Sequence, residues 1–247
     1  MWCACSSKDA KPAVWFEFSP NRDKASASNL LGKFNGILHV DGYESYSATI
    51  TANGITRVGC WAHARRKFDV AKKDGSKSGQ SLSAEFLDEI QKLFLLERDF
   101  AALGAIERAE QRQVKSSEII KNIREKLDKF KGQAPPKSKL GIALIYLENQ
   151  WDTLVVFLSE GRAELSNNRM ENHIRPFAIG RKNWMFSATA KGAESSAILY
   201  TLVSTARANN IDVNAYLLHL LRALPKLYAQ NLRQPDLTEF LPWNFKP

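Results

Sequence analysis

A chain of 247 residues is long enough to bury a sizeable hydrophobic core, as one large domain or as a domain with an insertion. No apolar run reaches the roughly 18 residues that a membrane-spanning helix needs, and no signal-peptide pattern opens the sequence. These features exclude the membrane and secreted classes and predict a cytoplasmic protein. Lys and Arg number 35 against 26 for Asp and Glu, and the resulting net charge of +9 favours a polyanionic partner.

Three cysteines, Cys3, Cys5 and Cys60, argue against a disulfide scaffold because their number is low and odd. A zinc site built from these cysteines and His63 is one interpretation of the spacing. Packing as small buried hydrophobic side chains is the favoured interpretation. Cys3 and Cys5 fall in a predicted strand, and no paired C-x-x-C spacing is present.

Residues 1–60 alternate strands with one helix, as expected for the first part of an α/β core. The predicted strands are Trp2 to Cys5, Val14 to Phe18, Ile37 to Val40 and Ile55 to Val58. A helix is predicted over Lys24 to Phe34, where apolar residues recur at helical spacing. Residues Tyr43 to Tyr46 are expected to begin a short helical crossover between the last two strands.

Residues 61–160 have an almost wholly helical pattern. The predicted helices are Trp61 to Lys73, Ala84 to Leu103, Ala105 to Phe130, Ser138 to Asn149 and Trp151 to Leu158. The stretch Lys73 to Gln80 is predicted as a flexible polar loop, and Lys131 to Pro136 as a helix breaker. We interpret this block as an insertion into the α/β core. A separate helical domain without a role at the site is the alternative.

Residues 161–222 open with a capping-box pattern formed by Asn168 and Glu171, which by itself only needs to start a helix. Here the Glu171 carboxylate lies among several cations, which is typical of a segment that also serves a phosphate or a metal ion. The cations are Arg169, Arg175, Arg181 and Lys182. Amphipathic helices are expected over residues 191–222 to pack on the sheet, and residues 223–247 form a C-terminal tail.

Asp41 follows the apolar run Ile37 to Val40 and precedes Gly42, so it lies at the carboxyl end of a predicted buried strand. Ligand crevices of α/β sheets form at that edge. An ordinary Asx turn into Gly42 is the alternative, and the sequence leaves both interpretations open.

Two basic segments are candidate DNA-binding surfaces, one on the helix predicted from Trp61 and one around Glu171. The candidate residues are Arg65, Arg66, Lys67, Arg169, Arg175, Arg181, Lys182, Asn183 and Trp184. Cations beside an aromatic residue suit backbone phosphates and a stacked base. For the first segment a solvated helix face is the alternative. His63 and His173 are interpreted as packed or solvated side chains in preference to phosphate ligands.

Four long stretches are HVDGYESY at residues 39–46, GCWAHARRKF at 59–68, NNRMENHIRPFAIGRKNWMF at 167–186 and LPWNF at 241–245. Together, and in this order, they resemble the transposases of bacterial insertion sequences of the sixty-six family. The resemblance covers nearly the whole chain. It implies an α/β fold with a ribonuclease H-like core, a large all-helical insertion, and an enzyme that cuts and joins DNA with three carboxylates in the order Asp, Asp, Glu.

By position, Asp41 matches the second aspartate of the family, and Glu171 matches its glutamate. The family's first aspartate lies on a core strand shortly before a hairpin like the one predicted at Trp2 to Phe18. We therefore expect this chain to lack that strand, its aspartate and the family's N-terminal DNA-binding region. The nearest acids do not match the position, because Asp9 falls in the hairpin turn and Asp23 at a helix start.

The resemblance also implies Mg²⁺ or Mn²⁺ as the cofactor, with Asp41 bridging two ions and Glu171 holding one of them. It implies double-stranded DNA as the partner, at the element ends and at the target. A homo-oligomer in a synaptic complex and association with the bacterial nucleoid are further expectations. An active transposase and a catalytically inactive remnant that binds DNA or a full-length partner both remain open. A structure-selective ribonuclease shares the fold but lacks support from these motifs.

Overall fold

The computed structural model describes residues 1–7, 11–42, 47–74, 77–184, 187–229 and 235–246. The chain is a mostly helical α/β protein. It divides into two compact units, one formed by Met1–Ser26 with Arg169–Pro247 and the other by Ala27–Asn168. Within the described residues, no helix combines the length and the apolar character that crossing a bilayer requires.

The strands are β1 (Trp2–Cys5), β2 (Val14–Glu17), β3 (Ile37–His39) and β4 (Thr56–Val58). The α-helices are α1 (Lys24–Leu31), α2 (Ser47–Ala52), α3 (Trp61–Asp74), α4 (Lys77–Asp99), α5 (Ala105–Gln111), α6 (Ser117–Phe130), α7 (Lys139–Leu154), α8 (Asn168–Trp184), α9 (Ala190–Ala208) and α10 (Val213–Tyr228). A π-helical turn at Arg112–Ser116 joins α5 to α6. Short 3-10 turns occur at Val156–Leu158, Thr238–Phe240 and Pro242–Asn244.

Strands β3 and β4 form a parallel pair, and the chain between them contains α2. The register pairs Ile37 with Thr56, and the Val40 N–H donates to the Val58 carbonyl at 3.2 Å. Because the strands are parallel, both end at the same edge, where Asp41 follows β3. The βαβ order predicted for this part of the chain is confirmed.

Helices α3, α4, α6 and α7 pack around the core of the same unit. Trp61, at the start of α3, is fully buried, and its Nε1–H donates to the Leu154 carbonyl at 2.9 Å. Trp151 and Phe157 each meet its ring edge-on, with centroids 6.5 Å apart. The indole thus fills apolar space while its one polar atom has a partner, which is how a buried tryptophan is stable.

Arg112, in the π-helical turn, is fully buried and satisfied by several acceptors. Its Nε and Nη2 atoms pair with the Glu97 carboxylate at 2.7 and 2.6 Å. Its Nη1 atom donates to the carbonyls of Phe157 and Glu160 at 2.9 and 3.0 Å, and Nη2 donates to that of Ala163 at 2.9 Å. A buried charge is tolerated only with such partners, so Arg112 ties this turn to the segment that follows α7.

That segment also approaches α5 closely at Gly161. A Cβ atom at this position would overlap the Ala105 carbonyl group, so only glycine fits without a backbone shift. The Gly161 carbonyl accepts a hydrogen bond from Arg108 Nη1 at 3.0 Å. A second guanidinium therefore holds the same segment in place.

In the unit that contains both chain ends, β1 and β2 form an antiparallel hairpin that packs on α9. The N–H groups of Val14 and Phe16 donate to the hydroxyl oxygens of Thr205 and Thr201, at 3.1 and 2.9 Å. Two threonines one helical turn apart thus take the place of a neighbouring strand along the edge of β2. The predicted packing of this helix on strands is confirmed.

The C-terminal segment packs against α10. The Tyr216 hydroxyl donates to the Phe240 carbonyl at 2.8 Å. Pro242, two residues after Phe240, is also buried. The His219 ring lies 5.8 Å from the ring of Phe240 and 5.3 Å from that of Phe245, measured between centroids. The Leu-Pro-Trp-Asn-Phe stretch therefore has a structural role, since it closes a small core on this helix.

Several helix boundaries differ from the sequence predictions. Helix α4 begins at Lys77, whereas the polar composition predicts a loop as far as Gln80. The helix predicted to end at Phe130 contains the π-helical turn that begins at Arg112. Helix α7 continues to Leu154 without a break, because the residues at its end are buried against α3. The predicted crossover at residues 43–46 lies outside the described residues.

We expect Arg112→Ala to lower the free energy of unfolding by about 3–5 kcal/mol, because it leaves the Glu97 carboxylate and three carbonyls without their donor. Urea unfolding followed by circular dichroism measures the change. The control is Lys121→Ala, which removes an exposed ion pair with Glu125 and should cost less than about 1 kcal/mol. Equal effects of the two changes would contradict the role assigned to Arg112.

We expect Tyr216→Phe to destabilise the protein by about 1–2 kcal/mol, because the buried Phe240 carbonyl loses its donor while the ring packing remains. Thermal unfolding of the variant and of Tyr228→Phe gives the comparison, since Tyr228 is exposed on the same helix. The exposed tyrosine should change stability by less than about 0.5 kcal/mol. An unchanged melting temperature for Tyr216→Phe would show that the C-terminal segment is not held through this bond.

Candidate functional site

Asp41 is held at the edge of the parallel pair by two neighbouring elements. Arg57 of β4 donates from Nη2 to the Asp41 backbone carbonyl at 3.0 Å and to Oε1 of Gln150 on α7 at 3.3 Å. The next residue, Gly42, lies against the same helix, because a Cβ atom there would be 3.4 Å from the Tyr146 ring. The backbone at Asp41 is therefore positioned by β4 and α7.

The surroundings of Tyr146 show which charges lie near Asp41. Burial raises the pKa of Tyr146 to about 12, and the Asp41 carboxylate acts in the same direction, whereas the guanidinium groups of Arg57 and Arg66 oppose it. The Lys67 ammonium lies 5.6 Å from the centroid of the Tyr146 ring. Asp41 and the cations of α3, which form separate motifs in the sequence, therefore share this tyrosine as a neighbour.

Helix α3 has one buried face and one basic face. Trp61 and Phe68 are fully buried, which fixes the orientation of the helix. The three predicted cations of this helix are exposed, and they are Arg65, Arg66 and Lys67. Core packing thus holds a row of positive charges at the surface.

Glu171 lies in the first turn of α8 as predicted, whereas Asn168, the predicted N-cap, is itself the first residue of the helix. The helix begins at Asn168, and the preceding residue, Asn167, is buried. The positive end of the helix dipole favours a carboxylate at this position. Glu171 itself is half-buried.

The apolar side of α8 packs against the β1–β2 hairpin. Ile174 and Phe177 lie in the same cluster as Phe16 and Tyr200. The Phe177 ring is 6.4 Å from that of Phe16 and 5.1 Å from that of Tyr200, between centroids. Offset and edge-on aromatic contacts of this kind anchor the helix that carries the glutamate.

Glu171, Arg175 and Lys182 lie along one stripe of α8, because steps of four and eleven residues return to nearly the same side of a helix. Arg175 and Lys182 are exposed. Between them, Pro176 has no N–H for the Asn172 carbonyl, so the hydrogen-bond ladder is interrupted at this point. The stripe places a carboxylate at its N-terminal end and two cations further along.

The other predicted residues of α8 differ in their surroundings. Burial, together with the charge of Arg169, lowers the pKa of His173, so its imidazole is neutral at pH 7. This agrees with a packed histidine better than with a phosphate ligand. Arg181 and Asn183 are exposed. Trp184 is the last residue of the helix, and its side chain lies outside the described residues.

A family model with the description "Transposase IS66 family" matches residues 1–195. The chain belongs to this family. One similar protein is the uncharacterized protein y4jD of Sinorhizobium fredii (strain NBRC 101917 / NGR234). It is 31% identical over 244 residues, which cover 96% of this chain and 46% of that protein.

Two further relatives come from the same strain. The uncharacterized protein y4qI is 34% identical over 244 residues, covering 96% of this chain and 44% of the relative. The uncharacterized protein y4hP is 32% identical over 247 residues, covering 95% and 44%. The chain thus spans less than half the length of the curated relatives that it matches. No solved structure matches it.

The matched region of this IS66-family chain includes both predicted metal ligands, Asp41 and Glu171. Carboxylate oxygens are the donors that Mg²⁺ and Mn²⁺ prefer. Among the described residues, however, no three His, Cys, Asp or Glu side chains lie together as a group that holds a metal ion.

The described acid and thiols that the sequence also singled out have structural roles in capping and packing. The Asp23 carboxylate accepts the Ser26 N–H at 2.9 Å, and this bond keeps the pKa of Asp23 below its usual range, so it acts as a helix cap. Asp9 lies outside the described residues. Burial raises the pKa of Cys3 to about 12, which keeps the thiol protonated, and Cys60 is buried. Packing of the thiols, the favoured interpretation, agrees with this.

Sequence patterns do not indicate Tyr146 or Gln150, which surround the backbone at Asp41 together with Arg57. Tyr146 and Gln150 lie on a helix whose other residues read as ordinary core. The one available signal is Arg57, a charged residue in the middle of the short strand β4. A cation at such a position needs a partner from outside its own strand.

Proposed function

We propose that this chain forms the catalytic region of a DNA transposase that cleaves DNA at insertion-sequence ends and joins it to target DNA. The observation that carries the proposal is the family match over residues 1–195, which contains both Asp41 and Glu171. The curated relatives are more than twice as long as the part that matches this chain, so the activity of a full-length protein belongs to the proposal too.

A ribonuclease H-like core with an all-helical insertion is the fold that we propose for this region. The parallel β3–α2–β4 unit supports it, because such a unit delivers Asp41 to the carboxyl edge of the strands. The helical block that follows β4, from α3 to α7, supports the insertion. Glu171 then enters on the next helix, α8.

Asp41 and Glu171 are the residues that would hold Mg²⁺ or Mn²⁺. When bound, such ions activate the attacking oxygen and stabilise the leaving oxygen of a phosphodiester. The chain's own residues position the backbone that carries these carboxylates. Arg57 donates to the Asp41 backbone carbonyl at 3.0 Å, and Glu171 lies in the first turn of α8, at the positive end of the helix dipole.

Double-stranded DNA is the proposed partner, at the element ends and at the target. The exposed cations of α3 and α8 support this, because phosphate contacts supply most of the affinity of DNA-binding proteins. Asn183 and Trp184 are proposed to contact the same DNA beside Arg181 and Lys182. A homo-oligomer that pairs two element ends is the proposed assembly.

Nicking and strand transfer of element-end DNA in Mn²⁺ test the catalytic proposal. The assay uses this chain and a version extended with the flanking segments of a longer family relative. We expect Asp41→Ala and Glu171→Ala each to reduce activity by about a hundredfold or more while DNA binding is retained, because the ligands act on the reaction more than on the DNA contact. Chelation by EDTA should have the same effect.

Asp88→Ala is the matched control, since Asp88 is an exposed acid on α4 outside these motifs. Its activity should equal that of the parent. Full activity of Asp41→Ala or Glu171→Ala would show that the carboxylate assignment is wrong. DNA binding without cleavage by either parent chain would identify the inactive DNA-binding remnant instead.

We expect Arg181→Ala or Lys182→Ala to weaken binding to every DNA sequence and to reduce the slope of log K against log salt by about one, because each removes one phosphate contact. Fluorescence anisotropy at several NaCl concentrations measures the slope. Lys121→Ala, an exposed cation on α6, has the same change in net charge and should leave the slope unchanged. An unchanged slope for both α8 variants would remove these residues from the DNA-binding surface.

A further inference from the structure

A half-open cleft of about 500 Å³ lies between α3 and α4. The side chains that line it come from α3, α4 and the first residue of α8. They are Arg65, Arg66 and Asp69 on α3, Gln91 and Phe94 on α4, and Asn168. The volume is within the range of pockets that hold a small molecule. All of these residues belong to the same compact unit of the protein.

The packing of the two helices creates the cleft. On the inner side, Phe68 of α3 stacks on Phe86 of α4 with ring centroids 4.5 Å apart. The small Ala62 at the start of α3 also lines the cleft. Asn168 lines the cleft as well, and the segment before it is held to α3 because the Trp61 N–H donates to the Leu165 carbonyl at 3.1 Å.

The charge of the cleft is positive. Arg65 and Arg66 are exposed at its mouth. Its carboxylate, Asp69, forms an ion pair with Lys73 at 2.8 Å, and this bond and the nearby Arg65 charge hold the pKa of Asp69 below its usual range. Lys73 thus neutralises the charge of Asp69 within α3. The guanidinium groups of Arg65 and Arg66 therefore make the electrostatic potential in the cleft positive.

The remaining lining suits a planar, hydrogen-bonding group. Phe94 is half-buried, so it packs against the core and also contributes to the cleft. Gln91 and Asn168 are exposed amides, each of which offers both a donor and an acceptor. An aromatic surface, two amides and two guanidinium groups match the parts of a nucleotide, namely a base plane, a base edge and a phosphate.

We propose that this cleft binds a single unpaired nucleotide of a DNA strand. The base stacks on Phe94, its edge bonds to the amides of Gln91 and Asn168, and Arg65 and Arg66 hold the adjoining phosphates. This assignment rests on the proposed function, because it names an unpaired nucleotide as the feature of the DNA substrate that the cleft prefers. Because Asn168 is also the first residue of α8, the nucleotide would contact the start of the helix that carries Glu171.

The test compares three DNAs of one sequence in anisotropy titrations of this chain: a blunt duplex, a duplex with one unpaired nucleotide, and a single strand. We expect the duplex with the unpaired nucleotide to bind about tenfold more tightly than the blunt duplex, as base stacking on an aromatic side chain provides. A 2-aminopurine at the unpaired position should change its fluorescence on binding.

The variants separate the parts of the proposal. Gln91→Ala and Phe94→Leu should abolish the preference and the 2-aminopurine signal while blunt-duplex binding is unchanged. Arg65→Ala should weaken binding of all three DNAs and lower the salt slope by about one. Gln80→Ala is the matched control, because it is an exposed glutamine on the same helix outside the cleft, and it should keep the preference.

The outcomes distinguish the two proposals. Equal binding of blunt and unpaired DNA, or an unchanged preference in Gln91→Ala and Phe94→Leu, overturns the cleft assignment while the DNA-binding proposal stands. Loss of the preference in Gln80→Ala also overturns it. Failure of the parent chain to bind any of the three DNAs would overturn the DNA-binding proposal, and the cleft assignment with it.

Discussion

The buried guanidinium of Arg112 is the constraint on which much of the larger unit depends. It has no exposed surface, and it bonds to the Glu97 carboxylate and to three carbonyls of the segment after α7. Such a charge is stable only while every partner stays in place, so the guanidinium fixes that segment against the π-helical turn. The segment then leads to Leu165, whose carbonyl caps the start of α3, and to Asn168, where α8 begins. The ion pair of Arg112 with Glu97 thus belongs to the same network that holds the segment between α7 and α8.

Helix α3 connects this core to the candidate chemistry. Its buried side is anchored by Trp61 and Phe68, and its opposite side presents the exposed cations. One of these, Lys67, lies over the ring of Tyr146, the residue against which the Asp41–Gly42 turn packs. The basic helix and the catalytic aspartate proposed for this family member are therefore supported by the same packing, so a core defect near Trp61 would disturb both.

The second carboxylate depends on a different core. Glu171 enters on α8, and that helix is held by Ile174 and Phe177 against the β1–β2 hairpin. The hairpin in turn is bonded to α9 through Thr201 and Thr205, which satisfy the backbone of β2. Each proposed metal ligand thus has its own supporting unit.

Local sequence pattern by itself determined the parallel β3–α2–β4 unit, the position of Asp41 at its edge, the place of Glu171 in the first turn of α8 and the family. These follow from short-range rules of periodicity, turns and caps, and from long motifs. Only the tertiary structure decided that Arg57 and Tyr146 adjoin Asp41, that the polar stretch after Lys77 is helical, and that Gln91 and Phe94 share a cleft with Arg65. Those features depend on side chains far apart in the sequence, whose packing and charge pairing outweigh local propensity.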